Sequence, residues 1–150
     1  MPKQFQLCEQ PLIGFIATSN PARAKKFYGE TLGLPLVSED SSFALVFNAH
    51  GTMLFVSIVE KVSVAGYTVL GWQVPDITEA VKGLQEAGVQ FHHYQGMPQD
   101  EFGIWMSPSG AKVAWFKDAD GNTLSLSEHD ESPRTPDQET TVAMPGSSIQ

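Results

Sequence analysis

The sequence is poor in cysteine and in positive charge. It contains one cysteine, Cys8, in 150 residues, and nine Lys and Arg against seventeen Asp and Glu, which gives a formal net charge of −8. One cysteine excludes an internal disulfide and a multi-cysteine zinc site. The few, scattered basic residues argue against binding to nucleic acid or to an anionic membrane surface, because phosphate binding needs a basic patch.

Long apolar runs are also missing. No run approaches the roughly 20 residues that a helix needs to span a bilayer, and MPKQFQLCEQ lacks the apolar stretch of a secretory signal. We therefore expect a cytoplasmic protein. The length is sufficient for one domain with a core, which we place at residues 1–129. Residues 130–150, rich in Ser, Thr, Pro, Asp and Glu, are predicted to be a polar tail.

The chain repeats itself, with halves at about residues 12–58 and 68–128. IGFIATSNPARAKKFYGETLGL at 13–34 runs parallel to VLGWQVPDITEAVKGLQEAGV at 69–89, and each has the pattern of a strand, a cap, a helix and a glycine stop. Apolar stripes support both helices: Ala24, Phe27, Tyr28 and Leu32 before Gly33, and Ala80, Val81, Leu84 and Ala87 before Gly88.

Both predicted helices begin with capping residues. Asn20 is the expected N-cap of the first, and Pro21 follows it at a position where the missing N–H costs nothing. Asp76, with Glu79 three residues later, is a capping-box-like start of the second helix. These signals fix where each helix should begin.

The resemblance between the halves continues in two hairpins. ALVFNAHGTMLFVS at 44–57 aligns with AWFKDADGNTLSLS at 114–127, and Asp120-Gly121-Asn122 is expected to supply residues of positive φ for the second turn. Residues 90–112 of the second half are extra, and we expect an elaborated loop and strand there. The pattern predicts an α+β fold of two tandem βαβββ modules, with helices on one face of each sheet and the other faces around a cleft.

Three segments carry a family resemblance. KKFYGETLGLPLV at 25–37, LGWQVPDITEAVKGLQEAGV at 70–89 and AWFKDADGNTLSLSEH at 114–129 resemble the signatures of the vicinal oxygen chelate superfamily, which includes glyoxalases, bleomycin-resistance proteins and extradiol dioxygenases. Together they span about residues 12–129. The resemblance implies a cup-shaped mixed β-sheet around a ligand cavity, helices on the outer faces, and assembly as a homodimer.

Metal-dependent members of this superfamily place His or Glu at four strand positions. By alignment these positions are occupied here by Ile13, Phe55, Val69 and Ser125. Three of these side chains have no lone pair, and a neutral hydroxyl is a poor substitute for a carboxylate. A shift of one residue in the alignment still yields no His or Glu. The sequence therefore predicts no metal site and no cofactor.

The four histidines were tested as alternative ligands. His92 and His93 lie near Asp100 and Glu101, so a zinc or iron site outside the family positions is conceivable. Adjacent residues of an extended chain point to opposite faces, however, and a solvated loop fits the pair better. His50 falls in the first hairpin turn and His129 begins the tail, where surface placement is expected for both. Lys112 is expected at the surface as well.

Strand alternation selects the side chains that face the predicted cleft. The residues of this parity include Ile13, Ala17, Val69 and Gly71. Trp115 and Leu45, which are aligned in the two halves, are expected to face the cleft as well. Aromatic walls with isolated polar groups suit flat or hydrophobic organic molecules. The candidate ligand-binding residues are Phe15, Phe55, Ser57, Gln73, Trp105, Trp115 and Ser125.

Three functions from different classes fit these residues. The leading interpretation is a metal-independent binder of small molecules, similar to the drug-sequestering resistance proteins of the superfamily. The first alternative is a lyase, isomerase or dioxygenase with a divergent metal site or with acid–base side chains. The second is an interaction module that uses a dimer surface or the tail, which a fold alone does not establish.

We expect the purified, tag-free chain to contain far less than one equivalent of divalent metal by elemental analysis. Titration with Zn²⁺, Mn²⁺, Fe²⁺ and Ni²⁺ should leave its melting temperature unchanged, because the four family positions offer neither nitrogen nor carboxylate ligands. About one equivalent of bound metal, together with a clear rise in melting temperature, would contradict the metal-independent interpretation.

Overall fold

The structure, a computed structural model, describes residues 4–129, so the predicted polar tail at 130–150 lies outside the described residues. The chain divides into two compact units, with the boundary between Ser63 and Val64. The assignment of residues 1–129 to one domain stays a prediction. No helix within residues 4–129 is long and apolar enough to cross a membrane.

The first unit is a mixed four-stranded sheet with one helix. Its strand order is β1-β4-β3-β2, in which β1 runs parallel to β4 and the other neighbours are antiparallel. The elements are a 3₁₀ turn at Leu7–Glu9, β1 at Ile13–Thr18, α1 at Pro21–Lys26, a π-helical turn at Phe27–Thr31, β2 at Leu36–Asp40, β3 at Ala44–Ala49 and β4 at Thr52–Ile58.

The second unit repeats this topology. Its strand order is β5-β8-β7-β6, again with one parallel pair, β5 and β8. The elements are β5 at Leu70–Gln73, α2 at Ile77–Glu86, β6 at Trp105–Met106, β7 at Lys112–Lys117 and β8 at Thr123–Glu128. The predicted α+β fold of two βαβββ modules with mixed sheets is confirmed.

Both helix starts follow the sequence signals. The Asn20 side chain accepts a hydrogen bond from the Arg23 backbone N–H at 3.2 Å, and the Asp76 side chain accepts one from the Glu79 N–H at 3.2 Å. The Glu79 carboxylate lies 3.6 Å from the Lys82 ammonium. The side chains therefore satisfy N–H groups that the first helical turn leaves unpaired.

The apolar stripe predicts a regular helix up to Gly33, but the α-helix ends at Lys26. It widens after Lys26 into a π-helical turn, in which the Leu32 N–H donates to the Phe27 carbonyl at 2.8 Å. Tyr28 is thereby buried, at 1% exposure, with its ring centroid 5.9 Å from that of Phe47. A π turn fits one extra residue into the helix, which a 3.6-residue period does not reveal.

The two hairpins differ more than the aligned sequences suggest. The first turn consists of His50 and Gly51, both with positive φ, whereas in the second turn, at 118–122, only Gly121 has positive φ. The prediction of positive φ at Asp120 and Asn122 is therefore wrong. The Asp118 carboxylate stabilises the longer turn by accepting from the backbone N–H groups of both residues at 2.9 Å.

One face of each sheet is buried on the side of its own helix. In the first unit this face carries Leu45, Phe47, Leu54 and Val56. In the second it carries Ala114, Phe116, Leu124 and Leu126, with Ile77 and Val81 of α2 also buried. The predicted stripe of α2 missed Ile77 and included Ala87, which is exposed. Burial of one face determines which side chains occupy the other.

Candidate functional site on the open sheet faces

The open face of each sheet is defined here as the side opposite its helix. In the first unit, register pairs Phe15 with Phe55 across β1 and β4, and Phe55 with Val46 across β4 and β3. The rings of Phe15 and Phe55 are 5.4 Å apart between centroids, and Phe15 is 64% exposed. Ser57 lies on the same face, paired with Ala17. An aromatic pair this exposed is available to an apolar ligand.

Leu45 was expected on this face as the partner of Trp115 in the aligned halves, and that placement is wrong. Leu45 is fully buried and pairs with Val56 on the helix side, whereas Val46 occupies the place that corresponds to Trp115. The turns of the two hairpins have different lengths, so an alignment without gaps slips by one residue along β3. Such a slip moves every side chain to the other face.

The open face of the second sheet combines aromatic and polar side chains. Register pairs Trp115 with Ser125 and Ser125 with Gly71, and the neighbouring row pairs Gln73 with Ser127. Trp105 of β6 pairs with Val113. The structure therefore brings the candidates Gln73, Trp105, Trp115 and Ser125 to one face of the second sheet.

Trp115 lies at the bottom of an aromatic cluster. It is only 5% exposed, and its indole N–H donates to the Thr68 hydroxyl at 3.1 Å. The Tyr94 ring meets it edge-on at 5.6 Å between centroids, and the Trp105 ring lies at 6.1 Å. Trp105 and Tyr94 are the more exposed members of this cluster. They are accordingly better placed than Trp115 to contact a ligand.

Tyr94 is a candidate that sequence reasoning missed. It belongs to the extra segment of the second half, where its only signal was an aromatic residue next to two histidines. Partial burial raises the pKa of the Tyr94 hydroxyl from its ordinary value.

Hydrogen bonds within the extra segment hold Tyr94 in place. The Gln99 amide accepts from the Tyr94 N–H at 2.6 Å and donates to the carbonyls of His92 and Gly103 at 2.9 and 2.7 Å. The Asp100 carboxylate accepts from two backbone N–H groups of the same loop, at 2.9 Å each. Asp100 thus shapes the loop, and nothing in its contacts indicates acid–base chemistry.

Gly71 and Ser125 are in close contact. A Cβ atom built on Gly71 would lie 2.7 Å from the Ser125 hydroxyl oxygen and 3.4 Å from its carbonyl oxygen. Real Cβ atoms do not approach oxygen this closely, so the hydroxyl occupies space that only glycine leaves free. The assignment of Ser125 as a ligand-binding residue stays a prediction, and its contact with Gly71 is a feature of the fold.

Two charged groups in the second unit lie on the helix side of its sheet. The Glu128 carboxylate accepts from the Ile77 N–H at 3.0 Å and lies 3.8 Å from the Lys112 ammonium. In the first unit, hydrogen bonds from the Ser42 hydroxyl and from its backbone N–H lower the pKa of Asp40. These contacts stabilise a helix start and a turn.

The positions that hold metal in the superfamily do not fit a metal ion in this chain. Ile13 and Phe55 share the open face of the first sheet, and Ser125 lies on that of the second. The side chains of Ile13 and Phe55 have no lone pair to give, and the neutral hydroxyl of Ser125 is a poor substitute for the His and Glu ligands of the superfamily. Within residues 4–129 no group of three or more His, Cys, Asp or Glu could hold a metal ion.

Three of the four histidines have the solvent exposure that the sequence predicts, and one does not. His50, His92 and His93 are exposed, as expected. His129 is half-buried, and its Nε2 lies 3.0 Å from the Ser127 hydroxyl oxygen. Residues 125, 127 and 129 have the same strand parity, so the pattern places the two side chains on one face but does not reveal their contact.

The comparisons with known proteins identify the relatives of this fold. The family profile described as Glyoxalase/Bleomycin resistance protein/Dioxygenase superfamily matches residues 10–126. No curated protein matches the chain. Among solved structures, a member of this superfamily from Sphaerobacter thermophilus is 28% identical, with 80% of this chain and 97% of that chain covered and a TM-score of 0.62.

Two further structures show the same fold at lower identity. A glyoxalase family protein from Enterococcus faecalis is 23% identical, with 82% of this chain and 100% of that chain covered and a TM-score of 0.66. A lactoylglutathione lyase from Agrobacterium tumefaciens is 15% identical, with 80% and 93% covered and a TM-score of 0.63. Such similarity establishes architecture and leaves activity to the residues of the site.

Gly71→Ala is expected to lower the free energy of unfolding by about 1–3 kcal/mol, because the new methyl group overlaps the Ser125 hydroxyl. In a Ser125→Ala background the same substitution should cost much less. Urea unfolding of both single variants and the double variant gives the coupling energy. Strictly additive effects would contradict the close contact.

Proposed function

The chain belongs to the Glyoxalase/Bleomycin resistance protein/Dioxygenase superfamily, and from this premise we propose that it binds a flat, largely apolar organic molecule without a metal ion. The observation that carries the proposal is the aromatic pair of Phe15 and Phe55, with Phe15 64% exposed on an open sheet face. An exposed Phe in contact with a second ring is costly in water, and a bound apolar ligand relieves that cost.

The second unit supports the same function independently. Trp105 and Tyr94 present partly exposed rings above the buried Trp115, and the Gln99 hydrogen bonds hold the Tyr94 segment in place. Preorganised aromatic rings bind planar molecules with little loss of side-chain entropy. On the open face of the second sheet Gln73 is an exposed polar group and Ser125 a buried one. Ser57 is a half-buried polar group on the open face of the first sheet. On either face, isolated polar groups of this kind suit orientation of a ligand. The role would be sequestration of the ligand, as in resistance proteins of the superfamily.

Phe15→Ala is expected to weaken the binding of a two- or three-ring aromatic compound, measured by isothermal titration calorimetry, at least about fivefold, because the truncation removes a ring contact and its buried area. Phe43→Ala is the matched control, because Phe43 is 66% exposed but lies in the turn before β3. Equal losses in both variants, or no binding by the unmodified chain, would contradict the proposal.

We also propose that the chain forms a homodimer, as the resemblance to the superfamily implies. Phe5, Leu7 and Leu12 are exposed by 76%, 75% and 77%, an unusual number of bare apolar side chains in one short segment. A cytoplasmic location stays a prediction from the sequence.

Sedimentation equilibrium at micromolar concentration is expected to give twice the mass of the chain. Phe5→Ser and Leu12→Ser, introduced together, should shift the equilibrium towards the monomer if this segment takes part, because burial of apolar area drives association. A monomer at every concentration of the unmodified chain would contradict the proposal.

A further inference from the structure

A polar row lies beside the aromatic cluster of the second unit. Gln73 of β5 pairs in register with Ser127 of β8, and the Ser127 hydroxyl oxygen lies 3.0 Å from Nε2 of His129. Gln73 is exposed, and Ser127 and His129 are half-buried. All three side chains are therefore accessible from the open face. This group of three is called the polar row below.

The polar row offers hydrogen-bond donors whichever tautomer His129 adopts. If Nε2 carries the proton and donates to Ser127, the Ser127 hydroxyl is left to donate elsewhere. If Nε2 accepts from Ser127, the proton of the ring is on Nδ1. The Gln73 amide adds two further N–H donors. A ligand group that accepts several hydrogen bonds fits this arrangement.

The charge of the open face points to an anionic group. No Asp or Glu lies among His129 and the strand residues of this face. These strand residues are Val69, Gly71, Gln73, Trp105, Val113, Trp115, Lys117, Thr123, Ser125 and Ser127. The chain as a whole carries seventeen acidic residues. Glu128, the acidic neighbour of the polar row, belongs to the other face, where it binds the Ile77 N–H. An anion bound to the polar row thus meets no opposing carboxylate from these strands.

The spacing of the face suits an aromatic molecule with one acidic group. Register places Gln73, Ser127, Val113 and Trp105 in one row across four strands. Neighbouring strands are about 4.8 Å apart, so Ser127 and Trp105 are separated by about 10 Å. A two-ring system with a carboxylate spans that distance, with its rings towards Trp105 and its carboxylate towards the polar row.

We propose that the polar row binds the carboxylate of an aromatic acid and that aromatic carboxylates are the ligand class of this chain. The inference rests on the proposed function, because the rings of the ligand need the aromatic cluster. It adds that Gln73, Ser127 and His129 distinguish an anionic ligand from a neutral or cationic one of the same shape.

Three probes of similar shape test this inference. Isothermal titration calorimetry is carried out with 2-naphthoate, methyl 2-naphthoate and 2-naphthylmethylammonium on the full chain. The naphthoate is expected to bind about tenfold more tightly than the ester, since a hydrogen bond to a charged group is stronger than one to a neutral group. The ammonium compound should bind most weakly, although the net charge of −8 favours it at long range.

The variants His129→Ala and Ser127→Ala locate the preference. Both are expected to reduce the affinity for naphthoate about tenfold and to leave the affinity for the ester unchanged, so that the preference disappears. His129→Asn keeps a side-chain donor and should recover part of the preference. His93→Ala, which removes an exposed histidine of the same unit, is the matched control and should keep the preference. Urea unfolding midpoints confirm that the variants fold.

The outcomes separate the two proposals. Equal affinity for all three probes, tighter binding of the ammonium compound, or a preference that survives His129→Ala and Ser127→Ala overturns the inference and leaves the proposed function intact. If none of the naphthyl compounds binds, the proposed function fails and this inference fails with it. In an NMR titration with naphthoate, the side-chain amide signals of Gln73 are expected to shift from their positions in the free protein, as a direct sign of contact.

Discussion

The structure depends on one constraint, the packing of one face of each sheet on the side of its own helix. Side chains alternate along a strand, so the packing of Phe47 and Leu54 in the first unit, and of Phe116 and Leu124 in the second, fixes what lies on the opposite side. A one-residue change in register would exchange the two faces and expose the core. The candidate site is therefore a consequence of core packing, because the register that buries one face also decides which residues lie on the other, buried ones such as Trp115 included.

The two units use the same topology for different surfaces. The open face of the first sheet is mostly apolar, with Phe15 and Phe55 in contact and Ser57 beside them. That of the second sheet combines Trp105 with several hydroxyl and amide groups. This difference follows from short sequence changes at equivalent strand positions, such as Phe55 in one half and Ser125 in the other. The duplicated scaffold thus carries a surface suited to dispersion contacts in the first unit and one that also offers hydrogen bonds in the second.

The extra segment of the second unit is held together largely by side-chain hydrogen bonds. Its loops contain few hydrogen bonds of the kind that join strands, and side chains bind the backbone instead. Gln99 forms hydrogen bonds with three backbone groups, and Asp100 with two. These bonds place Tyr94 against Trp115 without a helix or a long strand. A loop that is fixed in this way loses its conformational entropy during folding. Binding of a ligand to such a loop would therefore not have to order it.

Local periodicity, caps and residue chemistry were sufficient to predict the two βαβββ modules, the helix starts at Asn20 and Asp76, and the side chains present at the four family positions. The sequence also indicated the parity of the candidate residues. Only the tertiary structure decided that Leu45 is core, that Trp115 lies under Tyr94, and that His129 bonds Ser127. Turn length sets the register between strands, and contacts between distant segments decide which rings are covered, so neither can be obtained from a pattern that runs along the chain.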